Sequence, residues 1–175
     1  MTDRVEWIEE PISKEHDRAS FDCGDSALND YLKQHARQNH ERGLAKTFAA
    51  ISPLDRRILG YYSISPASVD NRRMPEMLMR GLGRYDVPGF RLGRLAVDKS
   101  MQGQGLGGQL LAVAARRAMR VAAEVGGMML IIDAKNERVA AWYASYGSTP
   151  VTDAPLTLLL PLATLARNMQ QAAKL

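Results

Sequence analysis

Long apolar runs are missing from this chain. No stretch approaches the roughly 18 consecutive apolar residues that a membrane-spanning helix needs. Cysteine is almost absent: Cys23 stands alone, which excludes a disulfide framework and a cysteine metal site and leaves an idle or buried thiol. His16, His35 and His40 include no i, i+4 pair, so helical metal ligation is unsupported and no metal is expected. The N-terminus carries Asp3, Glu6, Glu9 and Glu10 with no apolar run, unlike a signal peptide. Repeats and low-complexity segments are absent as well. These absences lead to the expectation of a soluble, cytoplasmic protein that engages no membrane.

What is present suits one globular domain spanning 1–175, with 46% hydrophobic residues for a core and 24% charged ones. The net charge of +4 and pI near 9.4 favour an anionic partner. The cations are unevenly spread. Lys33, Arg37, Arg42 and Lys46 surround one predicted helix, and Arg72, Arg73, Arg80, Arg84, Arg91 and Arg94 crowd the middle against only Glu76 and Asp86. A solvated face is the ordinary reading of any one of them.

The stretch from Arg94 to Gly108 organises the rest. Leu95-Ala96-Val97 reads as the end of a buried strand and Asp98 to Met101 as a polar turn. Gln102-Gly103-Gln104-Gly105-Leu106-Gly107-Gly108 then opens into the strong helix former Gln109 to Ala118. A helix N-terminus presents unpaired N–H groups and partial positive charge, and glycines let a phosphate approach them. A P-loop is excluded because no Gly-Lys-Ser/Thr follows. Gly103, Gly105 and Gly108 spell the dinucleotide fingerprint, but a polar turn intervenes after the strand, and too few residues follow for a second mononucleotide half.

Elsewhere, Val5 to Ile12 reads as a strand ended by Pro11. Asp25 reads as the cap of a helix carrying Leu28, Tyr31, Leu32 and Ala36, with Gly43 as its stop. Lys46 to Ile51 and Ile58 to Ile64 form a predicted hairpin across Ser52-Pro53-Leu54-Asp55. Ser65 to Gly89 is irregular, with room for a short helix. Phe90 to Val97 is the central strand and Gly105 to Val125 the long helix. Then come a strand from Met128 to Asp133, a helix from Asn136 to Tyr146, a strand from Leu156 to Leu160 and a helix from Ala163 to Lys174. The crossover helix makes its flanking strands parallel while the hairpin is antiparallel, so an α/β (α+β) chain with a mixed central sheet flanked by helices is expected.

The Gln-x-x-Gly-x-Gly run after Leu-Ala-Val resembles the acetyl-coenzyme A signature of the GNAT N-acetyltransferases, and the order of elements is also theirs. The resemblance implies a single GNAT fold in which the strand ending at Val97 splays from the strand starting at Met128 and the pantetheine arm lies between. It implies that Leu95 and Val97 meet the arm through their backbone, that Gln102, Gly103, Gln104, Gly105, Gly107 and Gly108 hold the pyrophosphate, and that Asn136 touches the arm, a role compatible with a helix N-cap. In Trp142-Tyr143-Ala144-Ser145-Tyr146-Gly147-Ser148, Tyr143 falls on the family's tyrosine facing the cofactor sulfur. Ser148 replaces the usual final Phe, and Tyr146 is the rival, with half-buried packing as the alternative for both. Several members place a Glu on the central strand as base; Phe90 to Val97 carries no carboxylate. A lysine amine near pKa 10.4 would need that base, whereas an α-amine near 7.7–8.0 needs much less help.

A sharper resemblance rests on Phe21-Asp22-Cys23-Gly24, Leu28-Asn29-Asp30-Tyr31-Leu32, Gly60-Tyr61-Tyr62-Ser63 and Gly93-Arg94-Leu95-Ala96-Val97-Asp98. These look like the acetyltransferase toxins of bacterial toxin–antitoxin pairs, the TacT type. That resemblance implies acetylation of the α-amine of aminoacyl-tRNA and a block of translation, a ribbon-helix-helix antitoxin encoded alongside, and a homodimer. Lys33, Arg37, Arg72, Arg73, Arg80, Arg84 and Arg91 are then the expected tRNA contacts, since phosphate contacts dominate nucleic-acid affinity. The competing readings are an acetyltransferase for small amines or protein N-termini, a non-enzymatic acyl-coenzyme A-binding regulator, and a nicotinamide enzyme.

Overall fold

The computed structural model describes residues 5–172, so Asp3 and Lys174 lie outside the described residues. Its elements run β1 (Ile8–Pro11), α1 (Ser26–Asp30), a π-helical turn (Tyr31–His35), α2 (Ala36–Arg42), β2 (Lys46–Ile51), β3 (Ile58–Val69), β4 (Val87–Val97), α3 (Leu106–Val125), β5 (Met129–Asp133), α4 (Glu137–Ala144), β6 (Thr149–Val151), β7 (Ala154–Pro161) and α5 (Leu162–Ala172). The strands form a seven-stranded mixed sheet in the order β1-β2-β3-β4-β5-β7-β6. The chain divides into two units: one runs up to Ser65 and includes Arg94–Ala114, the other comprises Pro66–Gly93 and the chain from Ala115 onward.

In the first unit Asp25 caps α1 as the sequence predicts, its carboxylate accepting the N–H groups of Ala27 and Leu28. Gly43 ends α2 in the left-handed region. The helix between them is interrupted by the wider π turn, which nothing in the residue pattern announces. β1 and β3 flank β2 in antiparallel register, from Lys46↔Ile64 to Ile51↔Ile58, with a bulge at Ala50/Ile51. Phe21, Tyr31, Leu32, Ile51, Ile58 and Tyr61 form the core here. The Tyr61 ring meets the Phe21 ring edge-on at 5.5 Å, and its hydroxyl donates to the Leu28 carbonyl at 2.6 Å, so the tyrosine is buried with its polar end satisfied.

In the second unit β4 and β5 are parallel, paired from Gly89↔Met129 to Leu92↔Ile132, and the ladder ends there. β4 continues to Val97, whereas Asp133, the last residue of β5, pairs with Thr157 of β7. Val69, Met74, Val87, Met129, Ile131, Val151 and Leu159 make this unit's core. The irregular segment holds two 3₁₀ turns, Asn71–Arg73 and Glu76–Leu78. β6 is absent from the sequence reading. It is three residues long and contains Pro150, which suits an edge strand and hides its periodicity.

Burial assigns the stabilising positions of the first unit. Leu32 is wholly buried, so Leu32→Ala should cost about 2–5 kcal/mol. Leu54, 95% exposed in the β2–β3 turn, should change stability by less than about 0.5 kcal/mol when made Ala. Urea unfolding of the two variants checks this pair, and equal losses would contradict the placement of the core.

Candidate functional site

The first unit holds a cradle built from the backbone. After β4, Asp98 starts a 3₁₀ turn at Lys99–Met101, and the chain then passes through Gly103 (φ 79°) and Gly105 (φ 85°) into α3. Both glycines occupy the left-handed region that a side chain resists, and a Cβ at either position would meet nothing within 4 Å. They are glycines for their backbone angles, and the face they leave is open. The Gln109 N–H bonds the Gly105 carbonyl, so the N–H groups of Leu106, Gly107 and Gly108 precede the helical ladder. The first turn of α3 carries no acidic residue. This is the geometry and charge that receives a phosphate.

A polar network fixes the cradle. Asp98 is 7% exposed, and its carboxylate accepts the Asp22 N–H at 3.1 Å, the Ser100 N–H at 3.0 Å and the Ser100 hydroxyl at 2.7 Å. The Arg57 guanidinium stands 3.7 Å away and donates to the Ser100 hydroxyl. Burial alone would push the Asp98 carboxyl up; the Asp22 and Ser100 donors outweigh it and hold the carboxyl below its ordinary value. The Lys99 N–H in turn donates to the Asp22 carbonyl at 2.8 Å. The Asp22 carboxylate accepts from the Gly24 N–H, the Asn29 amide and the Lys99 ammonium, in that order of effect, and is brought down to about 2.

Gln102 belongs to the same network. Its side-chain amide donates to the carbonyls of Cys23 and Val97, both at 2.9 Å, and Gln104 donates to the Ser100 carbonyl at 3.2 Å. The side chains of these two expected pyrophosphate residues therefore hold the loop, and it is their backbone that remains for a ligand. Val97 likewise gives its carbonyl to Gln102. Leu95 and Val97 are both half-buried. Cys23, half-buried too, directs its thiol to the Asp25 carbonyl at 3.6 Å.

The second unit carries the tyrosine. Asn136 caps α4, its side-chain oxygen accepting the Val139 N–H at 2.9 Å. Tyr143, on the last turn of α4, is 5% exposed, and burial raises its pKa above the ordinary phenol value. Its hydroxyl has no hydrogen-bond partner among the described residues. Trp142 meets the rings of Tyr143 and Tyr146 edge-on at 4.8 and 5.1 Å. Tyr146 is half-buried, and its carbonyl accepts from the Asn168 amide of α5 at 3.1 Å, as suits a packing residue.

The expected tRNA-contacting cations fall into two groups. Arg72 forms a bidentate pair with Asp70, Arg73 pairs with Asp153 at 2.8 Å, Arg91 pairs with Asp133, and Arg37 pairs with Glu41 at 3.0 Å. Lys33, Arg80 and Arg84 are exposed and form no ion pair among the described residues. Arg94, outside the expected set, places its guanidinium 3.6 Å over the Tyr31 ring, a cation–π contact that the sequence reading missed. It missed the Asp98 network as well, although Asp22 and Asp98 both sit inside the motifs it singled out. The partners are 76 residues apart in the chain, and spacing does not reveal such a pairing.

Known proteins resemble this chain across residues of both units. The acetyltransferase (GNAT) domain family matches residues 53–147. The tRNA-acetylating toxin of Mycobacterium tuberculosis is 33% identical over 149 residues, which is 85% of this chain and 88% of that protein. The structure of AtaT complexed with acetyl-methionyl-tRNAfMet superposes with a TM-score of 0.86 at 27% identity, covering 94% of this chain and 99% of that one. A Tyr→Phe variant of AtaT bound to acetyl-CoA and the C-terminus of the antitoxin AtaR has the same identity and coverage and a TM-score of 0.78.

The network predicts how the loop responds to mutation and acid. Asp98→Asn replaces an acceptor oxygen with a donor facing N–H groups, and should cost about 1.5–3 kcal/mol, the value of hydrogen bonds to a charged group. The folded-state carboxyls of Asp98 and Asp22 lie below the unfolded value of about 3.9. Their contribution is therefore complete above that value and is lost as pH falls through the folded-state values. The difference in melting temperature between parent and Asp98→Asn should hold constant from pH 7 to about 5 and close as pH falls below about 3.9. A difference unchanged in acid would mean that the charge of Asp98 does not hold the loop.

Proposed function

The chain belongs to the GNAT acetyltransferase family, and from that premise we propose that it is the toxin of a type II toxin–antitoxin pair. It moves the acetyl group of acetyl-CoA to the α-amine of aminoacyl-tRNA and so blocks translation. The observation that carries this reading is the glycine-built anion cradle in a chain similar over most of its length to a tRNA-acetylating toxin. In this reading 1–175 acts as one catalytic domain.

The residues of the cradle fit a pyrophosphate: the glycine face is open, the leading N–H groups of α3 precede its ladder, and no carboxylate opposes an anion in the first turn. Leu106, Gly107 and Gly108 bind through backbone N–H, while Gly103, Gln104 and Gly105 shape the approach and Gln102 holds the loop. Leu95, Val97 and Asn136 orient the pantetheine arm. When bound, acetyl-CoA supplies the acetyl thioester. Tyr143 supplies a proton donor for the departing sulfur. Because burial raises its pKa, the hydroxyl stays protonated throughout the physiological range. Complete transfer to a thiolate whose acid lies near 8.5 is uphill, so its main work is a hydrogen bond to the developing negative charge.

The attacking amine must be neutral. An α-amine titrates near 7.7–8.0 and esterification lowers it further, so much of it is neutral without a base. This agrees with a central strand, Phe90 to Val97, that carries no carboxylate. The neighbouring Asp133 is engaged by Arg91 and by the Thr157 hydroxyl. Small amines and lysines of higher pKa are correspondingly poor acceptors. The partners in this reading are aminoacyl-tRNA, a ribbon-helix-helix antitoxin encoded alongside and a second copy of the chain, in the cytoplasm. Among the described residues no helix is long and apolar enough to cross a membrane.

Tyr143→Phe should keep acetyl-CoA affinity and lower turnover on aminoacyl-tRNA by about 10²–10⁴, while Tyr146→Phe should do far less. Steady-state kinetics of both variants settle the choice, and an exchange of their effects would move the assignment to Tyr146. Gly105→Ala and Gly105→Glu separate strain from charge. Both force a side chain into the left-handed region, but only Glu repels a pyrophosphate. Calorimetry should show weakened acetyl-CoA binding for Ala and none for Glu in folded protein. Equal, undiminished affinity would remove the cradle assignment.

A further inference from the structure

In the second unit, the segment Met74–Val87 has two sides. Inward, Met74, Leu78, Met79 and Leu82 pack on the unit's core. Outward, Tyr85 is 87% exposed, with Arg80, Arg84 and Met77 also exposed. The inner side anchors the segment, so the outer groups are carried on a fixed base. One edge of the Tyr85 ring lies over Gly83, where an added Cβ would stand 3.6 Å from it, and the ring stacks on no aromatic neighbour among the described residues. Arg72 and Arg73 are neutralised by Asp70 and Asp153, so among the described residues Arg80 and Arg84 are the cations of Asn71–Val87 with no carboxylate partner.

An open aromatic face on the same exposed segment as guanidinium groups without carboxylate partners is the combination that holds single-stranded nucleic acid: the ring stacks on a base and the cations meet the backbone. A protein partner would favour a contiguous apolar surface, but the leucines of this segment are turned inward. The acceptor in the proposed function is an amino acid esterified to the unpaired 3′ end of an RNA. Resting on that reading, we propose that the outer side of Met74–Val87 is a platform for this 3′ strand, with Tyr85 stacking on an unpaired base and Arg80 and Arg84 meeting its phosphates.

The test is the kinetics of acetyl transfer to aminoacyl-tRNA by the full chain and its Tyr85→Ala, Tyr85→Phe and Arg80→Ala/Arg84→Ala variants, across a salt series. Tyr85→Ala should raise KM about tenfold or more, the scale of removing one base–aromatic stack. Turnover at saturation, acetyl-CoA KM and salt dependence should stay as in the parent. Tyr85→Phe should restore parental KM, because the ring and not the hydroxyl does the work. The double arginine variant should raise KM and flatten the logarithmic salt slope by about 0.7 for each phosphate no longer neutralised. If the parent acetylates aminoacyl-tRNA and Tyr85→Ala matches it, the platform is wrong and the proposed function stands. If the parent acetylates no aminoacyl-tRNA, both fall.

Discussion

The carboxylate of Asp98 is the constraint on which the candidate cofactor cradle depends. A loop that must hold two glycines in the left-handed region and leave three N–H groups unpaired has little reason of its own to stay ordered. Asp98 supplies one by gathering the Asp22 N–H and both donors of Ser100 onto a buried charge. Gln102 closes the other side by bonding the carbonyls of Cys23 and Val97. The Phe21–Gly24 run and the Val97–Gln102 run are thus two halves of one support, and Asp22 and Asp98, which join them, both sit in the motifs that carry the resemblance to the toxin-type acetyltransferases. A charge so placed costs desolvation, and three hydrogen bonds to it offset that cost.

The chemistry asked of the second unit is modest. In the proposed function its part is that of a buried phenol, held protonated by burial, that offers a hydrogen bond to sulfur as the thioester breaks. The lack of a carboxylate on the central strand becomes intelligible once the acceptor is an amine that is already largely neutral. Specificity then falls to acceptor binding, and the structure narrows the candidates. Arg37, Arg72, Arg73 and Arg91 have carboxylate partners that a phosphate would have to displace, whereas Lys33, Arg80 and Arg84 have none among the described residues.

Much of the fold was legible in the residues because its signals are local. Asp25 and Gly43 mark the ends of their helix, and Lys46–Ile51 is the strand the sequence predicts, to the residue. The parallel β4–β5 pair follows from the crossover helix. Features set by tertiary contact were not legible: the π turn at Tyr31–His35, the short edge strand around Pro150, and the extension of β3 to Val69. The same division runs through the site. Glycine spacing announces the cradle, but not that Gln102 and Gln104 turn their side chains to the loop's own carbonyls. Net charge announces an anionic partner, but not which arginines are already neutralised, because Asp153 lies 80 residues from Arg73.

In this account the acetyl group ends on the α-amine of an amino acid attached to tRNA. The direct measurement is mass spectrometry of the aminoacyl-adenosine released by nuclease after incubating the full chain with acetyl-CoA and charged tRNA. The account predicts one added acetyl group on the amino acid, with none on uncharged tRNA and little on a free lysine side chain offered in competition. An aminoacyl-adenosine of unchanged mass, with acetyl groups appearing on the competing amine, would contradict it.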